Sequence, residues 1–146
     1  MRLLSMAGLL ALGAGCELFA NPDDDCVETE VEGLDMRVQA WVTVVGFDMQ
    51  GVPDVPIELT YEVHRCGVDG IGALHGDEGT TESDGTFLGD VFEVEIRNWE
   101  DRVEVAWSLP AVPLDGRETW YPDEDAPETE LVGIQVIPIR VILNDR

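Results

Sequence analysis

The sequence contains no lysine, and its eight basic residues are all arginine. Against them stand 31 acidic residues, which give a formal net charge of −23. Binding to nucleic acid and to anionic lipid headgroups depends on Lys and Arg that neutralise negative charge, so a surface of this kind repels phosphate. We therefore expect no nucleic-acid partner and no affinity for anionic headgroups.

Long apolar runs are also missing. The apolar run near the start is shorter than the roughly 20 residues of a transmembrane helix, and no later segment shows helical periodicity. Strong net charge often produces disorder, but 45% of the residues are hydrophobic and they alternate regularly with polar ones. A chain of 146 residues is long enough for one domain with its own core.

Alternation with a period of two predicts strands over much of the chain. The residues expected to face the core are Met36, Val38, Ala40, Val42, Val44, Ile57, Leu59, Tyr61, Val63, Phe92, Val94, Ile96, Val103, Val105, Trp107 and Leu109. In the last strand Val132, Ile134 and Val136 share one face, and Ile139, Val141 and Leu143 follow in the opposite phase. That change of phase predicts a bulge at Pro138.

Turn signals separate these segments. The triplet Gly33, Leu34 and Asp35 predicts a break, and a Gly-rich loop is expected after Val63. Ser83, Asp84 and Gly85 predict a turn, because Asp can bond its own backbone and Gly accepts a positive φ. Residues 117–130 are expected to be an acidic loop. Six to eight short strands joined in this way are typical of an all-β protein, here a single β-sandwich over residues 26–146.

Two motifs make the fold prediction more specific. Residues 44–59, which end in P-I-E-L, and residues 79–87, G-T-T-E-S-D-G-T-F, resemble the immunoglobulin-like or prealbumin-like modules of bacterial surface proteins, including carboxypeptidase regulatory-like domains. The resemblance implies that Thr81 to Phe87 lead into a core strand whose aromatic residue is buried. Because both motifs consist of turn residues, the resemblance implies a fold and no activity.

The first residues read M-R-L-L-S-M-A-G-L-L-A-L-G-A-G-C. A positive start, a short apolar run and small residues before Cys16 resemble a bacterial lipoprotein signal peptide, although Gly13 stands where that family usually has Leu. The resemblance implies cleavage of residues 1–15, diacylation of Cys16 and, because Glu17 follows, transfer to the outer membrane. Residues 16–25 contain three consecutive aspartates and are expected to form an extended acidic tether.

Lipidation of Cys16 would leave two cysteines in an oxidising compartment. An even number of cysteines in such a compartment predicts a disulfide, here between Cys26 and Cys66.

Two groups of residues are candidates for binding. The first group could bind a metal ion, because its side chains are of types that ligate metals: His64, His75 and Asp77. The alternative is that His64 is a solvent-facing residue beside the disulfide. Trp120 and Tyr121 lie in the acidic stretch R-E-T-W-Y-P-D-E-D, where no alternation predicts their burial. Exposed aromatic residues can stack on sugars or anchor a protein partner, so we predict that these two bind a partner. The alternative is that both cover the end of the core.

These observations favour a non-catalytic, lipid-anchored module of the outer membrane that acts in adhesion, in envelope structure or in protein or glycan contact. One alternative is a small-molecule or metal-binding lipoprotein. Another is an envelope hydrolase, but Ser83 and Ser108 lie in no recognisable nucleophile motif. The leading hypothesis therefore includes no catalytic residue, no metal and no cofactor.

Replacement of Cys16 by Ser is expected to release the protein from the membrane or to block its maturation, because the side chain that would carry the lipid is removed. Fractionation of cells into soluble and detergent phases measures this. A Cys16→Ser variant that fractionates like the wild type would show that the lipoprotein hypothesis is wrong.

Overall fold

A computed structural model describes Cys26 and residues 30–144. The predicted signal peptide (residues 1–15), the lipidation site Cys16 and the predicted tether (residues 16–25) lie outside the described residues. Within the described part of the chain, no helix has the length and apolar character needed to cross a membrane.

Eight strands and a short helix follow one another along the described residues. They are β1 (Glu30–Gly46), β2 (Pro56–His64), β3 (Ala73–Thr80), β4 (Thr86–Leu88), β5 (Phe92–Asn98), β6 (Arg102–Leu109), β7 (Leu114–Trp120), α1 (Glu128–Leu131) and β8 (Ile134–Leu143). The strands form two four-stranded sheets. Sheet A contains β1, β4, β5 and β8, and sheet B has the order β3-β2-β6-β7.

Sheet A is organised around β1. On one side β5 pairs with the first half of β1 and β4 with its second half, both antiparallel. On the other side β8 runs parallel to β1 from Arg37 to Gly46. In sheet B every neighbouring pair is antiparallel. The described domain is therefore a two-layer, sandwich-like β fold that is consistent with an immunoglobulin-like domain.

The core lies between the two sheets and confirms most of the predicted inward residues. The strand residues that form the hydrophobic core cluster are Met36, Val38, Ala40, Val42, Val44, Ile57, Leu59, Tyr61, Val63, Val94, Ile96, Val103, Val105, Leu109, Ile137, Ile139, Val141 and Leu143. Phe87, Phe92 and Trp107 are half-buried against this core. The burial of Phe87 that the family resemblance implied is thus only partial.

Tyr61 connects the two sheets at a gap in the pairing of β1. Ala40 lies between the part of β1 that pairs with β5 and the part that pairs with β4. Its backbone N–H donates to the Tyr61 hydroxyl at 2.9 Å, and that hydroxyl donates to the carbonyl of Asp90 at 3.1 Å. A Cβ at Gly89 would come within 2.5 Å of the same hydroxyl, so the close approach requires glycine. Tyr61 is completely buried, and burial raises its pKa.

The predicted turn at Ser83, Asp84 and Gly85 is confirmed. Gly85 has a φ of +82°, and Asp84 Oδ1 accepts from the Thr86 N–H at 3.0 Å and from its hydroxyl at 2.6 Å. The side chain of Asp84 thereby fixes the start of β4.

Two expectations for the first half of the chain are wrong. β1 continues through Gly33, Leu34 and Asp35 with a shift of register instead of a break. Residues 73–80, expected in a Gly-rich loop, form β3, which pairs with β2 along its length. β3 is an edge strand that contains Gly76 and Gly79, so its residues have low strand propensity. Because its apolar and polar residues do not alternate, the hydrophobic pattern does not predict a strand there.

Two expectations for the second half are also wrong. Arg117 to Trp120 belong to β7 instead of an acidic loop, and Trp120 pairs with Val103. β8 has no bulge at Pro138, because its register with β1 is unbroken. Ile137 therefore points into the core, while Ile134 and Val136 face outward. Proline is tolerated there since β8 has a strand neighbour on one side only among the described strands.

The predicted disulfide between Cys26 and Cys66 is confirmed, with a Cα–Cα distance of 5.8 Å. Beside it the buried carboxylate of Asp101 accepts from the Cys66 N–H at 2.8 Å and from the Arg97 N–H at 3.0 Å. The Arg65 guanidinium donates to the same carboxylate at 3.1 Å. These bonds fix the end of the sandwich that contains Cys26, Cys66 and Asp101, which we call the disulfide end.

Removal of the Tyr61 hydroxyl is expected to destabilise the domain. In Tyr61→Phe the buried N–H of Ala40 loses its acceptor, which should lower the free energy of unfolding by about 1–3 kcal/mol. Chemical denaturation measures the loss, and Tyr121→Phe, at an exposed position, is the control that should change it by less than about 0.5 kcal/mol. Equal stability of the two variants would contradict the linking role of Tyr61.

Candidate functional site

The outer face of sheet A carries an exposed apolar strip. Trp41 of β1 stands between Leu88 of β4 and Pro138 of β8, which are its partners in the two registers. Ile134 and Val136 continue the strip along β8. The exposed fractions are 49% for Trp41, 59% for Leu88 and 44% for Val136. We call these five residues the Trp41 face.

The Trp41 face is nearly free of charge in a strongly acidic protein. Although the chain has 31 acidic residues, β8 has none, and Arg140 is its only charged side chain. Edge strands usually carry charges that prevent pairing with other chains. A contiguous apolar patch on such a surface is typical of a contact site. The alternation of apolar and polar residues does not reveal this face, but the lack of acidic residues in β8 is a sequence signal for it.

The two aromatic residues predicted to bind a partner lie in different surroundings. Trp120 ends β7 and is half-buried against the core, whereas Tyr121 is 54% exposed. Tyr121 lines a shallow depression of about 430 Å³ together with Trp99 and Pro122. Four acidic residues complete its lining: Glu100, Asp123, Glu124 and Asp125. The role of Trp120 and Tyr121 in partner binding stays a prediction. Trp99 lines the same depression as Tyr121, so it is a third candidate contact residue.

The depression lies at the disulfide end. β5 ends at Asn98, just before Trp99, and the Asn98 side-chain amide donates to the carbonyl of Cys26. β7 ends next to the start of β6, where Trp120 pairs with Val103. The predicted contact residues are therefore at the end of the sandwich that contains Cys26.

The structure does not bring together the histidines considered as metal ligands. His64 follows Glu62 on the outer face of sheet B, with its Nε2 atom 3.3 Å from Glu62 Oε2. His75 is the register partner of the inward-facing Tyr61, and its ring stacks on Phe92 with centroids 5.6 Å apart. Since the two rings lie on opposite faces of sheet B, a site made of His64, His75 and Asp77 does not form.

The surroundings of His75 and Asp77 are occupied by hydrogen bonds. His75 Nε2 lies 3.2 Å from Asp90 Oδ2, and Asp77 Oδ2 accepts from the Asp90 N–H at 2.8 Å. These bonds hold the connection between β4 and β5 against the edge strand β3. We interpret this group as structural.

No protein family, curated protein or solved structure matches the chain. The function is therefore inferred from the residues and their geometry.

Substitution of the two neighbouring aromatics separates a core role from a contact role. Trp120→Ala should lower the free energy of unfolding by about 2–3 kcal/mol, because a half-buried aromatic side chain leaves the edge of the core. Tyr121→Ala should change it by less than about 0.5 kcal/mol. Chemical denaturation measures both. An unchanged stability of Trp120→Ala would contradict its place in the core.

Proposed function

We propose that this chain is a non-catalytic, lipid-anchored β-sandwich module of the bacterial outer membrane that holds another envelope protein through the Trp41 face. One observation carries the proposal: a contiguous, exposed and nearly uncharged apolar strip on three strands of a chain whose net charge is −23. Contiguous exposed apolar patches are uncommon on soluble proteins, and they often mark sites of protein interaction.

The chemistry of the Trp41 face favours a protein partner over a glycan. A sugar needs hydrogen-bonding groups beside an aromatic ring, but the side-chain amide of Gln39, next to Trp41, already donates to the carbonyl of Gly89 at 2.7 Å. An aromatic residue at the centre of an apolar patch is typical of the core of a protein interface.

The proposed anchor would place the module close to the membrane. The resemblance of residues 1–16 to a lipoprotein signal supports lipidation of Cys16, and the Cys26–Cys66 disulfide agrees with an oxidising compartment. The ten residues of the tether span at most about 35 Å when extended. A partner that lies in the same membrane or on its surface is within this reach.

Site-specific photocrosslinking in the native host tests the proposal. A photoreactive residue at position 136, on the Trp41 face, should give one discrete adduct with another envelope protein. The same residue at position 58, on the outer face of sheet B, is the control and should give none. Trp41→Ser should reduce the adduct at position 136 at least about tenfold, as expected for loss of an interface hot spot.

Three results would contradict this function. They are equal adducts from positions 136 and 58, an adduct that Trp41→Ser leaves unchanged, and an adduct of twice the mass of the chain, which would mean self-association. Tyr121→Ser is the matched substitution, because Tyr121 is exposed to a similar extent at the disulfide end. It should leave the adduct at position 136 unchanged.

A further inference from the structure

Two glutamates face each other on the outer face of sheet B. Glu62 of β2 and Glu104 of β6 are direct partners in the antiparallel register. Like charges in directly opposed positions destabilise a sheet, so this pair requires a cation between or beside the carboxylates. Glu62 is only 8% exposed, which raises the cost of leaving its charge unpaired.

His64 completes a set of three donor atoms. Its Nε2 atom lies 2.8 Å from Glu104 Oε2 and 3.3 Å from Glu62 Oε2, and one donor atom from each residue falls within 4.8 Å of the others. Donor atoms that bind one Zn²⁺ ion at about 2.0–2.2 Å stand roughly 3–3.5 Å from one another. The three side chains therefore already have nearly the spacing of a metal coordination sphere, and two hydrogen-bonded strands hold them.

Arg117 supplies the positive charge that the two glutamates need. Its Nη1 atom lies 2.7 Å from Glu62 Oε2 and 3.6 Å from Glu104 Oε2. The Arg117 side chain is 57% exposed and borders a shallow groove of about 600 Å³. The guanidinium can turn into this groove and leave the carboxylates.

We propose that Glu62, His64 and Glu104 form a site for a divalent transition-metal ion such as Zn²⁺, with Arg117 as the counter-charge that the ion displaces. One imidazole nitrogen and two carboxylate oxygens suit an ion of intermediate hardness. Ca²⁺ fits less well, because it takes about 6–8 oxygen ligands. Cu⁺ prefers thiolates, and the two cysteines of the described domain are joined in the disulfide.

The site is separate from the Trp41 face, because it lies on the other sheet. A bound ion would join β2 to β6 directly and replace the electrostatic role of Arg117. The chain offers a matched control in its second histidine, since His75 lies on the inner face of sheet B beside Asp90.

Isothermal titration of Zn²⁺ into the purified, chelator-treated full chain tests the proposal. We expect a single site with 1:1 stoichiometry in the wild type and in His75→Ala. Binding should weaken at least about tenfold in His64→Ala, since even outer-sphere residues of metal sites contribute that much. Arg117→Gln should bind Zn²⁺ more tightly than the wild type, because the competing cation is gone. Ca²⁺ and Mg²⁺ should bind more weakly than Zn²⁺.

Glu104→Gln, which keeps the size of the side chain, provides a second test if His64→Ala fails to fold, and it should also weaken binding at least about tenfold. Any of several results would overturn the proposal: no Zn²⁺ binding, equal loss in the two histidine variants, or weaker binding in Arg117→Gln. Zn²⁺ binding that is matched by Ca²⁺ or that involves many equivalent sites would show a general effect of the acidic surface. In each of these cases the cluster is an ion-pair network only.

Discussion

The pairing of β1 with three other strands is the interaction on which the rest of the structure depends. Because β5 and β4 share one side of β1, a gap remains at Ala40, and Tyr61 of the opposite sheet fills it with its hydroxyl. The same arrangement fixes the outside of the molecule. Trp41 directly follows Ala40, so its side chain stands on the outer surface between Leu88 and Pro138.

The charge of the protein is distributed unevenly over its two sheets. On the outer face of sheet B, acidic side chains approach one another closely enough to need Arg117 and His64 as partners. On the outer face of sheet A, Asp35, Glu93 and Glu95 lie where β1 pairs with β5, whereas β8 on the other side of β1 carries no acidic residue. A two-sided surface of this kind suits a module that holds a protein with one face and a cation with the other. Both roles are proposals that rest on different residues, so either can fail alone.

The core could be predicted from the sequence in strands where polar residues alternate with apolar ones. Val38 and Ile57 stand in strands whose outward residues are polar or charged, so alternation identified the buried side. In β8 almost every residue is apolar, and the phase could not be read until the register with β1 was known. The lack of acid in β8 points to an uncharged surface, but only the pairing of the strands shows that Leu88 and Pro138 lie beside Trp41. The opposition of Glu62 and Glu104 likewise arises only from the register of β2 with β6.

Hydroxyl-radical footprinting, with purified protein compared with isolated native envelopes, tests most directly whether the Trp41 face is covered by a partner. Trp41 and Tyr121 are 49% and 54% exposed, so radicals should oxidise both in the purified protein. In envelopes we expect Trp41 to be protected while Tyr121 is still oxidised. Equal oxidation of Trp41 in the two preparations would contradict a partner on the Trp41 face, and protection of Tyr121 alone would place the contact at the disulfide end.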